Sequence, residues 1–227
     1  MKFFVYIMAL IITFQQYLYA NMNDDPLITM LQVDKLEWQD TAEHTRKWDG
    51  SFWAGYDLNK LYIYSEGEYT SQGLEKSRNE LLYSRAISPF WDMQMGLVYD
   101  KNANSSRKWA EFSFAGLAPY YFETRASLFF NTKGNIGLHL TTEYELMITQ
   151  QLIISPSLEA ELYTKDDPEL ERGKGVSSLE VGLRMRYEFI REFAPYIGIE
   201  WGKTFGKTYN FNPKNNTHAV AGVSFWF

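Results

Sequence analysis

Two pairs of carboxylates and one histidine have the types and spacing that could hold a cation. Glu66 and Glu68 are two positions apart, as are Glu143 and Glu145, and His139 lies four positions before Glu143. Side chains at every second position of a β-strand point to the same side of the sheet. Carboxylate oxygens and a neutral imidazole nitrogen are both ligands for divalent metals. If these segments are strands, the five residues form a candidate metal site.

The same residues allow a second interpretation, in which they are ion-paired groups that fill a narrow barrel. Further charged residues are expected on the polar side of the strands: Glu80, Asp92, Glu111, Glu123, Glu159, Glu161, Glu180, Glu188 and Glu200, with Arg78, Arg85, Arg125, Arg184 and Arg186. We favour a salt-bridged network over cation transit, and a hydrogen-bonded His139 over a metal ligand. Both interpretations stay open, because an ion-pair network can also set ion selectivity.

Other candidates for metal binding or catalysis are weaker. Met93 and Met95 alternate with polar residues on an apolar face, so we expect them to face lipid, whereas Met22 and Met30 lie near one end of the strands. The acidic segment 166–171 could bind a hard divalent cation, although a solvated loop explains it more simply. The three histidines do not assemble with serine and aspartate into a nucleophilic set. We therefore expect no enzyme.

The elements that would position these residues are β-strands, because period-two alternation runs through the chain after Asn21. We assign twelve strands: 30–39, 48–57, 60–69, 76–87, 91–100, 109–117, 122–130, 135–145, 152–163, 177–188, 194–202 and 218–227. In the first of these, Lys35 and Glu37 do not fit the alternation of the residues before them. The connections tend to alternate between long and short, with the long ones after odd-numbered strands. This alternation is typical of transmembrane β-barrels.

Composition excludes several classes of protein. A formal net charge of −6 offers no basic surface for nucleic acid. There is no cysteine, which excludes disulfides and thiolate metal sites. The mean hydropathy is −0.34 although 17% of residues are aromatic, so apolar and polar residues must be interleaved. The one continuous apolar stretch, 3–14, is shorter than the roughly 20 residues of a membrane-spanning helix.

The N-terminus has the features of an export signal. Lys2 provides the positive charge, segment 3–14 the apolar region, and Ala20 a small residue before the cleavage point. We predict a cleaved signal peptide at 1–20, a short segment at 21–29 and a β-barrel domain at 30–227.

The barrel is expected to turn its apolar side outward. Inside a bilayer every backbone polar group needs a partner within the protein, so only a closed sheet survives. A water-soluble barrel would turn its apolar side inward, but the bulky charged residues of the polar set favour a polar interior. Phe227 ends an alternating strand, as in clients of the outer-membrane assembly machinery. We therefore predict an antiparallel transmembrane β-barrel of about 12 strands in a Gram-negative outer membrane, surrounded by its lipids.

Nine short motifs occur in a fixed order between residues 30 and 227: DKLEW at 34–38, WDG at 48–50, NKLY at 59–62, SEGE at 65–68, LYSRA at 82–86, PFWDMQ at 89–94, GLAPY at 116–120, KDDPE at 165–169 and REFAPY at 191–196. Together they resemble the copper resistance protein B family of outer-membrane proteins.

This resemblance implies a role in copper homeostasis, by binding copper ions or passing excess copper across the outer membrane. It also implies periplasmic copper-resistance proteins as partners. Family members commonly carry a long Met- and His-rich segment before the barrel, whereas segment 21–29 has Met22 as its one soft ligand. The alternative function is therefore a small general porin or a structural barrel without metal function.

Overall fold

The computed structural model describes residues 26–190 and 192–227. The predicted signal peptide and Met22 lie outside the described residues. The strands are β1 (Ile28–Gln39), β2 (Arg46–Gly55), β3 (Asn59–Thr70), β4 (Gly73–Ser88), β5 (Trp91–Asn102), β6 (Ser106–Ala118), β7 (Phe122–Phe130), β8 (Ile136–Glu143), β9 (Leu146–Met147), β10 (Leu152–Tyr163), β11 (Gly175–Tyr187), β12 (Phe193–Thr204) and β13 (Asn215–Trp226). A short helix, α1 (Gly206–Phe211), lies between β12 and β13.

The strands form one closed antiparallel sheet. Apart from β8 and β9, each strand pairs with its neighbour in sequence, and β1 closes the barrel by pairing with β13, with Glu37 opposite Gly222. The short β9 and the longer β8 both pair with β10, so they form one interrupted strand of a twelve-stranded barrel. This confirms the predicted fold and strand number. Closure pairs the first strand with the last, so neither is left as a free edge of the sheet.

Apolar side chains cover the outside of the barrel and charged side chains fill the inside. Leu97, on the outer side of β5, is 68% exposed, whereas Glu111, on the inner side of β6, is 3% exposed. Leu183 and Val181 are also exposed on the outer side, as are Met95 and Met185. The predicted orientation of these residues is therefore confirmed.

Among the residues that the structure describes, no helix is long and apolar enough to cross a membrane.

The two ends of the barrel differ. At one end, here called the terminal end, β1 and the C-terminus exchange backbone hydrogen bonds between Leu31 and Phe227 at 2.8 Å. The opposite end, here called the loop end, carries the two longest connections, 164–174 and 205–214. In outer-membrane barrels the longer connections are extracellular.

Three expectations about the strands need correction. The third and fifth connections shorten to 71–72 and 103–105, because polar residues at the loop end continue the strands. A β-bulge between Val33 and Lys35 explains the broken alternation of β1, since one extra residue reverses the side that each later side chain faces. Arg85 is exposed on the outer side, because it lies seven positions from the inward-facing Arg78.

Candidate functional site

His139 lies inside the barrel and is bonded at both ring nitrogens. It projects from β8 and is 5% exposed. Arg78 Nη1, from β4 on the other side of the lumen, is 3.1 Å from Nδ1, and Glu159 Oε1 on β10 is 3.0 Å from Nε2. A guanidinium can only donate hydrogen bonds, so Nδ1 accepts. The arrangement fits the neutral imidazole whose Nε2–H donates to Glu159.

The Arg78 guanidinium joins His139 to three carboxylates. Arg78 donates to Glu161 at 2.8 Å and to Glu66 at 3.3 Å, and lies 3.8 Å from Asp100. It is 5% exposed, so its charge must be balanced by these neighbours, because an unpaired charge is very costly to bury. The sequence predicted only that Glu66 and His139 each face the lumen; the structure brings both to one interior space, with an arginine between them.

Glu68 belongs to a separate cluster nearer the loop end. Its carboxylate lies 3.0 Å from Lys76 Nζ, 3.4 Å from Lys214 Nζ and 3.9 Å from Lys47 Nζ. Lys47 also pairs with Glu180 at 2.8 Å. Glu68 is thus surrounded by ammonium groups rather than by further metal ligands.

Glu143 and Glu145 lie toward the terminal end, away from His139. Four residues of a strand span about 13 Å, so Glu143 does not reach the imidazole. Glu145 pairs with Arg186 at 2.5 Å, and Glu143 lies opposite Glu123 in the β7–β8 register. Within residues 26–190 and 192–227, the side chain of Glu143 forms no hydrogen bond or ion pair.

The five predicted ligands are therefore divided among three clusters. Across the described part of the chain, no three His, Cys, Asp or Glu side chains are arranged to hold a metal ion. A metal role for the five residues stays a prediction, and it requires the side chains to rearrange.

Ion pairs fill the remaining cross-section of the lumen. Arg125 bonds to Glu80 and Glu111, and Arg184 bonds to Glu37 at 2.8 Å and Glu200 at 2.6 Å. A gap among the charged groups near Arg78 has a volume of about 30 Å³, which holds one or two water molecules. The predicted salt-bridged network is therefore present.

Connection 164–174 folds over the lumen at the loop end. Asp167 accepts two hydrogen bonds from Arg107, at 2.9 and 3.0 Å, and Leu170 packs among buried apolar residues beneath it. Arg172 reaches inward to Asp100 and stacks over the Tyr163 ring at 4.9 Å. Sequence reasoning missed Arg172, because nothing in a polar loop indicates that one side chain turns inward.

Three of the four acidic residues of this connection, Asp166, Asp167 and Glu169, pair with lysine or arginine side chains. Asp166 pairs with Lys207 at 2.5 Å, and Glu169 pairs with Arg107. The Lys207 hydrogen bond holds the pKa of Asp166 below its ordinary value, because it stabilises the carboxylate. These contacts favour the solvated, ion-paired loop over a divalent cation site.

Met30 is the one predicted soft ligand whose position the structure describes inside the barrel. It lies directly opposite Trp53 in the β1–β2 register, and directly opposed residues share a face of the sheet. Trp53 contacts Tyr62, which stacks on Tyr64, and Arg125 lies over the Tyr64 ring. Met30 therefore faces the lumen near the terminal end.

Comparison with known proteins gives one family and one fold. A family model described as copper resistance protein B precursor (CopB) matches residues 27–227. The copper resistance protein B of Escherichia coli is 37% identical over 213 residues, which cover 91% of this chain and 72% of the relative. The copper resistance protein B homolog of Pseudomonas syringae pv. tomato (strain ATCC BAA-871 / DC3000) is 34% identical over 212 residues, with the same two shares.

Two solved porins share the architecture. The NanC porin superposes with a TM-score of 0.54 at 13% identity, over 87% of this chain and 98% of the porin. The KdgM porin gives 0.51 at 12% identity, over 88% of this chain and 99% of the porin. At these identities the similarity concerns the fold alone. Together with the family match and the two relatives, it leads to one conclusion: the chain belongs to the copper resistance protein B family and is an outer-membrane β-barrel.

Proposed function

We propose that the barrel passes copper ions through its lumen, and that His139 binds the ion transiently beside Glu66 when Arg78 moves aside. The observation that carries this proposal is the position of Arg78, whose Nη1 lies 3.3 Å from Glu66 and 3.1 Å from His139. A cationic side chain therefore occupies the space between two potential metal ligands. We choose copper as the transported ion because the relatives are named for copper resistance.

Exchange of one cation for another keeps the charge of this space balanced. If Arg78 leaves, Glu66 and Glu161 lose their closest positive charge and Nδ1 of His139 loses its donor. A copper ion would supply the positive charge and accept the lone pair of Nδ1, because imidazole nitrogen and carboxylate oxygen are ligands for Cu(II). In the absence of copper, the Arg78 guanidinium would occupy the position of the ion. In this position it would keep the lumen closed to other solutes.

Met30 offers copper a first contact at the terminal end. A methionine thioether can bind copper as a weak axial ligand in sites that also hold imidazole nitrogens, and Met30 shares the lumen-facing side of β1 and β2 with Trp53. The opposed carboxylates Glu123 and Glu143 lie between this end and His139. An ion entering beside Met30 would meet them before reaching Arg78.

The test is copper flux into vesicles that contain the refolded barrel. His139→Gln should lower the copper flux at least tenfold, because an amide is a poor replacement for imidazole as a copper ligand. His218→Gln is the matched control: His218 is also half-buried in the lumen, 3.6 Å from Glu200, but lies away from Arg78. Unchanged flux in the His139 variant would contradict the proposal.

A structural or general porin-like barrel is the second candidate function. The observation that favours a role without metal is that no metal-holding group of three or more ligands is formed among the described residues. Planar-bilayer conductance separates the two, since a pore of this second kind would give the same current with and without copper. In both cases we propose a non-enzymatic role, with periplasmic copper-resistance proteins as the source or acceptor of copper in the first.

A further inference from the structure

The outer side of β3–β6 changes from apolar to polar toward the loop end within one row of residues. One row of directly paired residues is apolar: Ile63, Leu81, Leu97 and Ala110. The next row consists of Ser65, Asn79, Tyr99 and Lys108, and the row above it of Gly67, Ser77, Lys101 and Ser106. Because successive rows are two positions apart, all three face the same side as the exposed Leu97.

Lys101 and Lys108 are the charged residues of these rows. Both are exposed, and among the described residues neither forms an ion pair with a carboxylate. The lumen lysines differ: Lys47 and Lys76 each lie within 4 Å of two or more carboxylates. Lys108 lies opposite Tyr99 and Lys101 opposite Ser106, so the two lysines are diagonal neighbours about 7–8 Å apart at their backbones. Two side chains of this length can reach one phosphate group.

Neutral polar groups beside the lysines are already held in place. Ser65 Oγ donates to Asn79 Oδ1 at 2.9 Å, and Asn79 Nδ2 donates to Ser77 Oγ at 3.0 Å. Trp48 Nε1 donates to Ser65 Oγ at 3.2 Å. Such a hydrogen-bonded ladder on the lipid-facing side offers further donors and acceptors at the depth where the apolar surface ends.

We propose that this surface, the Lys101–Lys108 patch (Ser65, Asn79, Tyr99, Lys101 and Lys108), binds the phosphorylated sugar headgroup of a glycolipid in the outer leaflet. The lysines bind the phosphate, and the hydroxyl and amide groups bind the sugar. The acyl chains of the same lipid lie along Leu97, Leu81 and Ile63, directly below the patch. A lipid is favoured over a free phosphate, because the patch continues into the apolar surface of the barrel.

Binding of purified lipid A to the refolded full chain in detergent tests the proposal. Lysines near an anionic lipid surface each contribute about fivefold to affinity, so the double variant Lys101→Gln/Lys108→Gln should bind lipid A roughly 25-fold more weakly. Arg85→Gln is the matched control, because Arg85 is an exposed cation on the outer side of β4 near the terminal end. It should bind lipid A as the unaltered chain does.

The lipid itself provides a test that needs no variant. The unaltered chain should bind lipid A stripped of both phosphates about as weakly as the double variant binds intact lipid A. Equal binding of intact and phosphate-free lipid A would overturn the proposal, as would full binding by the double variant. Binding to phosphatidylglycerol as strong as binding to lipid A would overturn the assignment to a sugar headgroup.

Discussion

Arg78 on β4 donates a hydrogen bond of 3.1 Å to Nδ1 of His139 on β8, across the lumen of the barrel. A permanently charged guanidinium therefore covers the imidazole nitrogen that carries a lone pair. The other ring nitrogen is bonded to Glu159 at 3.0 Å, as is common for metal-binding histidines, whose second nitrogen is oriented by a carboxylate. The imidazole is thus oriented for a ligand role while an arginine covers its free side.

Replacement of this arginine should turn the closed cluster into a cation site. In Arg78→Gln, Glu66 and Glu161 lose a buried partner, and breaking such a pair costs about 3–5 kcal/mol. Copper at 100 times its dissociation constant should restore about 2.7 kcal/mol, because His139 and the two carboxylates can then bind it. Urea unfolding in lipid vesicles, with and without Cu(II), measures both effects.

Arg125→Gln is the matched control for this variant. Arg125 also bonds to two lumen carboxylates, Glu80 and Glu111, but among the described residues it bonds to no histidine. The loss of stability should be similar and the recovery with copper less than half as large. Equal recovery in both variants would mean that copper binds lumen carboxylates without His139.

The fold could be predicted from the sequence because a membrane barrel repeats one rule along every strand. Side chains such as Val181 and Arg184 alternate between lipid and lumen, so strand number and orientation follow from period two. β1 is the exception, since the bulge at Val33 and Lys35 conceals that Lys35 and Glu37 face inward. Some strands were predicted too short at the loop end, because polar residues such as Lys101 and Asn102 are typical of a loop although they continue β5.

The candidate site could be predicted only residue by residue. His139 and Glu66 were both predicted to face the lumen, but β3 and β8 are far apart in the sheet. Which side chains meet across the lumen depends on the tilt and stagger of the strands, and period two does not determine either. The contact of both residues with Arg78 was therefore beyond sequence reasoning, as was the inward turn of Arg172.

Release of connection 164–174 should open the loop end. Asp167→Asn removes the carboxylate that accepts two hydrogen bonds from Arg107, and a hydrogen bond to a charged group contributes about 1.5–3 kcal/mol. A loss of about 2 kcal/mol raises the open population roughly 30-fold. Single-channel recording should show more frequent openings.

The neighbouring residue provides the control for this variant. Asp166→Asn removes an exposed pair with Lys207, and exposed pairs contribute little. Its opening frequency should stay close to that of the unaltered chain. If both variants open equally often, the Arg107–Asp167 contact does not hold the connection.

Acid should loosen the outer contacts of the same connection, at a pH set by two carboxyl groups. Hydrogen bonds from Lys207 and Arg107 hold the pKa values of Asp166 and Glu169 below their ordinary 3.8 and 4.5. A lowered pKa means that the contact is fully present above the ordinary value and is lost as the pH falls through the lowered one. Each exposed pair contributes little alone, so the connection should loosen only when both pairs are lost together. Cleavage of 164–174 by pepsin should therefore be absent at pH 5 and appear below about pH 3.8, the lower of the two ordinary values.

The double variant Asp166→Asn/Glu169→Gln provides the comparison for this pH dependence. Neither replacement titrates in this range, so the cleavage rate, corrected for the activity of pepsin itself, should lose its dependence on pH. Cleavage of the unaltered chain that begins at pH 5 would show that other groups control the connection.

A charged residue on the outer side of β11 should lower the stability of the barrel at the middle of the strand and have little effect at the end of the strand. Val181 lies near the middle of β11, and Val176 lies one residue from its start at the loop end; both are exposed on the outer side. In a transmembrane barrel an arginine costs about 2–4 kcal/mol at the bilayer midplane and about 0–1 kcal/mol near the interface. Val181→Arg should therefore unfold at lower urea concentration in vesicles, while Val176→Arg should resemble the unaltered chain.

The difference between the two variants arises because the bilayer core cannot solvate the guanidinium. The difference in unfolding midpoint should therefore vanish when both variants are unfolded from detergent micelles with thin, mobile apolar cores. An equal cost at the two positions in vesicles would mean that β11 does not cross the bilayer over its length.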